Sequence, residues 1–197
     1  PCSLVFYAKL YPGSFKFKAL TDRKGVIHMS KKVAVLVEDN VHDFEFWYPF
    51  YRLQEAGFEP VAVGPETGKT YMGKMGNPIK ATCSPQDLSP SDVAGGVGPG
   101  GWAPDRLRPH KSIVDFVRAV SGSGGVVAAI CHGGSVLVSA GILKGVKATS
   151  FVSIKDDMVL AGADWVDEPV VVSGKLVTSR TPADLPFFGE ALVKALG

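Results

Sequence analysis

The chain has 197 residues, of which 46% are hydrophobic and 20% are charged, and its formal net charge is +2. This is the composition of a globular protein, and it excludes a disordered, collagen-like or coiled-coil chain. The length suits one domain with a buried core. No apolar run approaches the roughly 20 residues of a membrane-spanning helix, so we expect no membrane partner.

The positive charge is concentrated at the beginning of the sequence. Residues 1–28 contain five basic and one acidic side chain, whereas the other 169 residues contain 16 basic and 18 acidic side chains. With no basic cluster to follow a phosphate backbone, the charge favours no nucleic-acid partner. The codons for residues 24–26 can contain a bacterial ribosome-binding sequence, and Met29 follows at a suitable distance for a start codon. We therefore interpret residues 1–28 as an untranslated or disordered leader and residues 29–197 as a single domain.

The first elements after Met29 are a buried strand and a helix. Residues 32–37 are apolar enough for a strand covered on both faces. Asp43 is placed to cap a helix that continues to Ala56 and is ended by Gly57. Pro49 is expected near the first turns of this helix, since it would kink the interior.

Strands and helices continue to alternate along the rest of the chain. Residues 64–80 carry repeated Gly and Pro and predict a loop or small hairpin. Alternation with short links predicts an α/β fold with a parallel sheet covered on both faces. The further strands are predicted at 58–63, 93–97 and 125–130, with a hairpin at 170–172 and 176–178, and the further helices at 112–120, 133–140 and 183–196.

The cysteines and histidines do not suggest a metal site or a disulfide framework. The three cysteines are Cys2, Cys83 and Cys131, and Cys2 lies in the leader. Neither the cysteines nor the four histidines have the spacing of metal ligands. We therefore expect no metal and a reducing, cytoplasmic compartment.

Candidate chemistry concentrates where the strand at 125–130 ends. Cys131 and His132 follow the strand directly, and Gly133-Gly134 opens the next helix. This pattern predicts a nucleophile elbow with cysteine in place of serine. The helix N-terminus is expected to lower the cysteine pKa, and backbone N–H groups there can receive an oxyanion. The alternative is a cysteine buried as a small hydrophobic residue, but that role needs neither the histidine nor the glycine pair.

Several motifs together resemble the ThiJ/PfpI family. The resemblance covers about residues 31–196 and implies a flavodoxin-like three-layer sandwich with a mainly parallel sheet, related to class I glutamine amidotransferase domains. The motifs are residues 129–134 (Ala-Ile-Cys-His-Gly-Gly), 139–145, 99–105, 155–158, 165–167 and 45–49.

The resemblance implies roles for three side chains. Cys131 is expected to be the nucleophile, and His132 its base or thiolate partner. Glu45 matches a family glutamate that lies against the cysteine, where a protonated carboxyl can hydrogen-bond the thiolate. The alternative for Glu45 is a carboxylate that interacts with the dipole of its own helix.

The turn at residues 99–105 supplies the remaining candidates. Asp105 matches an acidic residue that reaches the histidine of a neighbouring subunit in relatives, which implies a homo-oligomer with the site near a subunit interface. Its alternative role is to cap the helix after Pro104. The N–H groups of Gly101 and His132 are the candidate oxyanion donors. Gly100 and Trp102 are expected to line the pocket, although an exposed interface contact explains a tryptophan equally well.

Three positions depart from the family pattern. Gly98 replaces a branched apolar residue, which is expected to loosen the end of its strand. His42 stands where relatives often have an acidic residue; a solvated loop histidine is its default interpretation, and the alternative is a cationic His42 that lowers the pKa of Cys131. Phe151 stands where many relatives have tyrosine, so a hydroxyl is expected to be missing from the site.

Three functions are compatible with these residues. The first is a stress-response cysteine hydrolase or lyase with deglycase or glyoxalase-like action on small carbonyls or glycated groups, without a metal or organic cofactor. The second is an intracellular cysteine peptidase, and the third is a non-enzymatic redox-sensing or chaperone-like stress protein. Amidotransferase activity is not expected, because those domains have a late catalytic histidine and residues 160–197 contain none.

Overall fold

A central sheet and two layers of helices make up the part of the chain that the structure describes. The structure is a computed structural model that describes residues 31–197, and the predicted leader at 1–28 lies outside the described residues. The strands are β1 (Lys32–Leu36), β2 (Glu59–Val63), β3 (Thr70–Met72), β4 (Pro78–Lys80), β5 (Val93–Gly98), β6 (Val126–Ile130), β7 (Lys147–Ala148), β8 (Asp164–Trp165), β9 (Val170–Ser173) and β10 (Leu176–Ser179). The helices are α1 (Asp43–Glu55), α2 (Ala103–Leu107), α3 (Lys111–Gly122), α4 (Gly134–Ala140), α5 (Lys155–Leu160) and α6 (Leu185–Leu196).

The central sheet has six strands in the order β2-β1-β5-β6-β10-β9. The five strands from β2 to β10 are parallel, and the edge strand β9 runs antiparallel to β10. Strand β6 is buried along its whole length, as expected for a strand covered on both faces. Helix α1 packs with α6, and α3 packs with α4. The predicted α/β sandwich with a mainly parallel sheet is confirmed.

The predicted elements all occur within a few residues of their expected positions. The segment 64–80, predicted as a loop or small hairpin, contains the antiparallel β3–β4 hairpin. Helix α2 occurs close to the helix expected after Pro104. Helix α5 and the β7–β8 pair were not predicted, because elements of two to six residues are too short to show a period. Within residues 31–197, no helix is long and apolar enough to cross a membrane.

The start of α1 corrects two predictions. Asp43 is the first residue of the helix rather than its cap, and its carboxylate accepts hydrogen bonds from the Met75 backbone N–H (2.8 Å) and the Asn77 side-chain amide (2.6 Å). Pro49 lies inside the 13-residue helix and not in its first turn. It has no N–H to donate to the Glu45 carbonyl, and burial of the helix outweighs this loss. Asp43 therefore joins the β3–β4 turn to α1.

The strand order leaves a crevice at one edge of the sheet. The chain leaves β1 for β2 on one side, whereas it leaves β5 for β6 on the other side. Such a reversal separates the loops that follow β1 and β5, and α/β proteins bind ligands at this point. The loops at 37–42, 99–102 and 131–133 follow β1, β5 and β6, so all three lie at the same edge.

Candidate active site

Cys131 lies in the turn between β6 and α4, and its backbone is strained. Its φ is +59°, in the left-handed region that residues other than glycine rarely adopt. The turn also needs a close approach of the backbone, since a Cβ on Gly133 would lie 2.0 Å from the Gly98 carbonyl oxygen. The Cys131 side chain is nearly enclosed, with 8% of its surface exposed. This is the geometry of a nucleophile elbow.

His132 contacts Cys131 although the two residues are adjacent in sequence. The distance from Cys131 Sγ to His132 Nδ1 is 3.3 Å. On the other side of the ring, His132 Nε2 lies 3.0 Å from the Ser153 hydroxyl oxygen. The Phe151 ring stacks on the imidazole, with 5.0 Å between ring centroids. The structure thus brings the predicted pair together and adds Ser153, which no sequence motif marked.

Glu45 is fully buried beside the cysteine. One carboxylate oxygen, Oε2, accepts a 2.7 Å hydrogen bond from the Gly100 N–H. The other, Oε1, is buried and has no N–H or O–H donor among the described residues. Burial raises the pKa of Glu45 to about 7, although the hydrogen bond from Gly100 and the contact with the Cys131 thiol lower it. The carboxyl therefore exchanges its proton near neutral pH. An exposed carboxylate that interacted only with the dipole of its helix would not have its pKa raised in this way.

The expected low pKa of Cys131 is not found. Burial of the thiol, followed by the charge of Glu45, raises the pKa of Cys131 to about 12. The N–H groups of His132 and Gly101 lower it by hydrogen bonding to the sulfur, but they do not outweigh burial. The predicted low pKa took into account the N–H groups of the turn. It did not take into account that the surrounding loops remove solvent from the thiol. The resting side chain is a thiol that must lose its proton to a neighbouring group as it reacts.

Gly100 and Gly101 shape the other wall of the site. A Cβ on Gly100 would lie 2.8 Å from each of three atoms: Cys131 Cβ, Glu45 Oε2 and the His132 backbone nitrogen. Gly101 has φ +74°, and a Cβ there would lie 2.4 Å from the carbonyl oxygen of residue 40. The N–H groups of Gly101 and His132 both lower the pKa of the Cys131 thiol, so both lie near the sulfur.

Trp102 and Asp105 lie at the open side of the site. The Trp102 ring is 57% exposed, with its centroid 6.2 Å from that of His132. It lines an open cleft together with Asn40, Asp105 and Arg106. Asp105 is exposed and is the third residue of α2 rather than its cap, and among the described residues no side-chain hydrogen bond caps this helix, so the capping alternative is not supported. Burial lowers the pKa of His132, and the charge of Asp105 in the same chain partly opposes this.

Two further basic residues, His42 in the loop after β1 and Lys74 in the β3–β4 turn, influence the ionisation of the site. His42 is half-buried rather than a solvated loop histidine, and its Nδ1 has no hydrogen-bond partner among the described residues. Burial, and then the charge of Lys74, lower the pKa of His42. The same lysine also lowers the pKa values of Glu45 and His132. No motif in the sequence indicated this influence, because the chain separates Lys74 from the other motifs.

The other two departures have simple structural consequences. A Cβ on Gly98 would make only ordinary contacts of 3.7 to 3.9 Å, so the end of β5 has room for a small side chain. Phe151 packs on His132, and the hydroxyl beside the imidazole comes from Ser153 instead of a tyrosine. Within residues 31–197, no three His, Cys, Asp or Glu side chains are grouped closely enough to hold a metal ion.

The fold and the site define the class of the protein: a flavodoxin-like α/β sandwich with a cysteine at a nucleophile elbow, next to a histidine and a buried glutamate. The chain belongs to the DJ-1/PfpI family, whose model matches residues 31–195. The predicted ThiJ/PfpI resemblance is therefore confirmed.

The names of similar proteins describe two activities, deglycase and cysteine protease. The deglycase PfpI of Pyrococcus furiosus is 40% identical over 165 residues, which cover 84% of this chain and 99% of that protein. The putative cysteine protease YraA of Bacillus subtilis is 41% identical over 168 residues, covering 85% and 99%. A two-domain protein of Anabaena variabilis with DJ-1/ThiJ/PfpI-like and ferritin-like domains superposes with a TM-score of 0.83 at 43% identity. That match covers 85% of this chain and about half, 48%, of the two-domain chain.

Proposed function

We propose that this protein is a cysteine-dependent deglycase, which removes glyoxal-derived adducts from amines and releases the dicarbonyl fragment as a hydroxy acid. The observation that carries the proposal is the 3.3 Å contact between Cys131 Sγ and His132 Nδ1, next to a buried Glu45 whose pKa is about 7. The name of the Pyrococcus furiosus relative supports the same reaction. The chemistry needs a nucleophile, a base and an acid, and no metal or organic cofactor.

The first step forms the nucleophile. Because the pKa of Cys131 is raised, the thiol gives its proton to His132 Nδ1 as the sulfur attacks. The imidazolium then donates from Nε2 to the Ser153 hydroxyl oxygen, 3.0 Å away, which stabilises its charge. Stacking on Phe151 keeps the ring in this orientation.

The sulfur displaces the amine from the carbon that carries both the amine and a hydroxyl group. The C–N bond breaks, His132 protonates the leaving nitrogen, and a hemithioacetal forms on Cys131. Glu45 then takes the proton from this carbon and returns it to the neighbouring ketone carbon through an enediol. The former aldehyde carbon is oxidised to a thioester while the ketone carbon is reduced to an alcohol, so no external oxidant is needed.

Water completes the reaction by hydrolysing the thioester. The N–H groups of Gly101 and His132 lower the pKa of the Cys131 thiol in the resting site, and we assign them to stabilise the oxyanion that forms on the attached carbon. The thiol returns to Cys131, and the products are the free amine and a hydroxy acid. In sum, one adduct and one water give one amine and one hydroxy acid.

The test is release of amine and lactate from a methylglyoxal adduct of a small amine. We expect Cys131→Ser to abolish both products, and Glu45→Gln to lower them by about 100-fold or more, as for loss of an acid–base group. Cys83→Ser is the matched control, since it removes a buried thiol away from the elbow. Product release that is unchanged in Cys131→Ser would overturn the proposal.

A peptidase is the second candidate. The pair of oxyanion donors also suits attack on an amide, and the Bacillus subtilis relative is named a putative cysteine protease. The nearly enclosed Cys131, with 8% of its surface exposed, favours a small substrate over a peptide chain. Cleavage of casein or a fluorogenic peptide faster than turnover of the adduct would favour this candidate.

We also propose that the protein works in a reducing, cytoplasmic compartment as a homo-oligomer with the site near a subunit interface. The exposure of Trp102 (57%) and Val152 (65%) at the open side of the site supports an interface there. Mixing the inactive Cys131→Ser and Asp105→Asn variants tests whether Asp105 acts across it. Recovery of activity in the mixture supports the proposal, and a monomer by light scattering contradicts it.

A further inference from the structure

One tryptophan is largely exposed beside the candidate catalytic histidine. Trp102 is 57% exposed, and its ring centroid lies 6.2 Å from that of His132. The other two tryptophans have contacts that serve the fold: Trp165 donates its Nε1–H to the Ser150 hydroxyl at 3.0 Å, and Trp47 packs against the hydrophobic core. The indole of Trp102 is therefore available to a ligand that reaches His132.

The backbone that carries Trp102 is held on both sides. Its N–H donates to the Asn40 carbonyl at 2.9 Å, and the preceding residue, Gly101, forms an antiparallel β-bridge with Val41. The residues that follow form α2, which packs against α4, the helix that begins just after Cys131. The base of the indole thus has a fixed position relative to the elbow.

The proposed reaction places the amine of the substrate near this indole. His132 takes the proton of the Cys131 thiol, whose sulfur is 3.3 Å from Nδ1, and passes it to the leaving nitrogen, so this nitrogen lies beside the imidazole. Phe151 stacks on the imidazole, and the Ser153 hydroxyl lies at Nε2. Trp102 instead borders the open cleft, so a group carried by the nitrogen can extend from His132 over the indole.

The cleft offers a flat apolar face and no net charge. Asp105 and Arg106 line it together with Trp102, and their formal charges cancel. An ionic group on the amine is therefore attracted by one rim residue and repelled by the other. An aromatic ring, in contrast, gains both burial of apolar surface and stacking when it lies on an exposed indole.

We propose that Trp102 is a specificity-determining residue, whose indole stacks on an aromatic ring carried by the amine part of the substrate. A short link joins the ring to the nitrogen, such as the CH₂ group of an arylmethyl amine, because the indole and the imidazole are in direct ring contact. The choice of an amine adduct rests on the proposed function, whereas an aromatic subsite beside Cys131 does not.

Two alkylating reagents of nearly equal size test the subsite without any assay of turnover. N-benzyl-iodoacetamide carries a planar ring, and N-(cyclohexylmethyl)-iodoacetamide carries a saturated ring in the same place. With either reagent the sulfur forms a C–S bond, iodide leaves and the thiol proton is released. The rate of each at Cys131 is followed by mass spectrometry of the peptide that contains it. We expect the ratio of the benzyl rate to the cyclohexylmethyl rate to be about fivefold higher at Cys131 than for glutathione, which corresponds to about 1 kcal/mol.

The variants separate stacking from general packing. Trp102→Leu is expected to return the ratio to that of glutathione, and Trp102→Phe to retain about half of the preference, because a smaller ring still stacks. Tyr51→Leu is the matched control, since Tyr51 is also 57% exposed but lies in the second half of α1, and it is expected to leave the ratio unchanged. The rate with plain iodoacetamide shows whether each variant keeps the thiol of Cys131 equally accessible.

Two results would overturn the proposal: a ratio at Cys131 equal to that of glutathione in the unmodified protein, or a ratio that Trp102→Leu leaves unchanged. Failure of the deglycase assay with an intact preference for the benzyl reagent would instead reject the proposed reaction and keep the aromatic subsite. Turnover of the adduct without this preference would reject the subsite alone, so the two failures are distinguishable.

Discussion

Replacing the buried Glu45 by glutamine should change how the stability of the protein depends on pH. The Glu45 side chain is fully buried, and burial raises its pKa from the ordinary 4.5 to about 7 in the folded state. The folded protein therefore holds this proton more tightly than the unfolded chain does. Below pH 4.5 both states are protonated and the full contribution to stability is present.

The sign and size of the effect follow from this difference. As the pH rises from 4.5 to about 7, the unfolded chain releases the proton while the folded protein keeps it, so stability falls. Each pH unit between the two pKa values corresponds to about 1.4 kcal/mol, which gives a loss of about 3 kcal/mol by neutral pH. Glutamine does not titrate, so Glu45→Gln should gain about 3 kcal/mol over the natural protein between pH 4.5 and 8.

The measurement is denaturant unfolding of both proteins across pH 4.5 to 8.5 at one fixed protein concentration. Only the difference between the two free energies of unfolding is used, because the other titrating groups cancel in it. Glu190→Gln, which removes an exposed carboxyl on α6, is the control for loss of one charge. A Glu45→Gln difference that varies by less than about 0.5 kcal/mol over this range would refute the reasoning.

Three further substitutions test the packing and orientation of the site. Gly98→Ala should stabilise the protein by about 0.4 to 1 kcal/mol in denaturant unfolding, because the methyl group meets only ordinary contacts; a loss of stability would contradict this. Gly100→Ala should destabilise by about 1 to 3 kcal/mol and slow alkylation of Cys131 by iodoacetamide, since its Cβ would be 2.8 Å from three site atoms; unchanged alkylation would count against that geometry. Ser153→Ala should reduce adduct turnover by about fivefold, because it removes one hydrogen bond to His132 that contributes about 1 kcal/mol. An unaltered rate would show that Ser153 has no part in the mechanism.

The sequence was sufficient for features that depend on neighbouring residues. A buried strand followed by Cys131, His132 and two glycines defines an elbow, because the φ of +59° at the cysteine needs the small residues that come next. Gly101 was identified in the same way from a short motif after β5. The alternation of strand and helix patterns similarly predicted the sheet and its covering layers.

Features that join distant segments were predicted incompletely. Ser153 lies 21 residues after His132, and no local pattern indicates that its hydroxyl meets the imidazole. Asp43 was predicted to cap a helix, because its partners in the β3–β4 turn are more than 30 residues away. The effect of the Lys74 charge on the pKa of Glu45 was not predicted for the same reason, since the two residues are far apart in the chain.

By itself, the sequence determined the fold class and the family and pointed to Cys131 as the candidate nucleophile, because periodicity, turn residues and short motifs are local properties of the chain. Only the tertiary structure decided the ionisation of the site. Glu45 and Cys131 are brought together by loops after β1, β5 and β6, and their enclosure raises both pKa values, to about 7 and about 12. Solvation depends on everything that surrounds a group, and that environment exists only once the chain has folded.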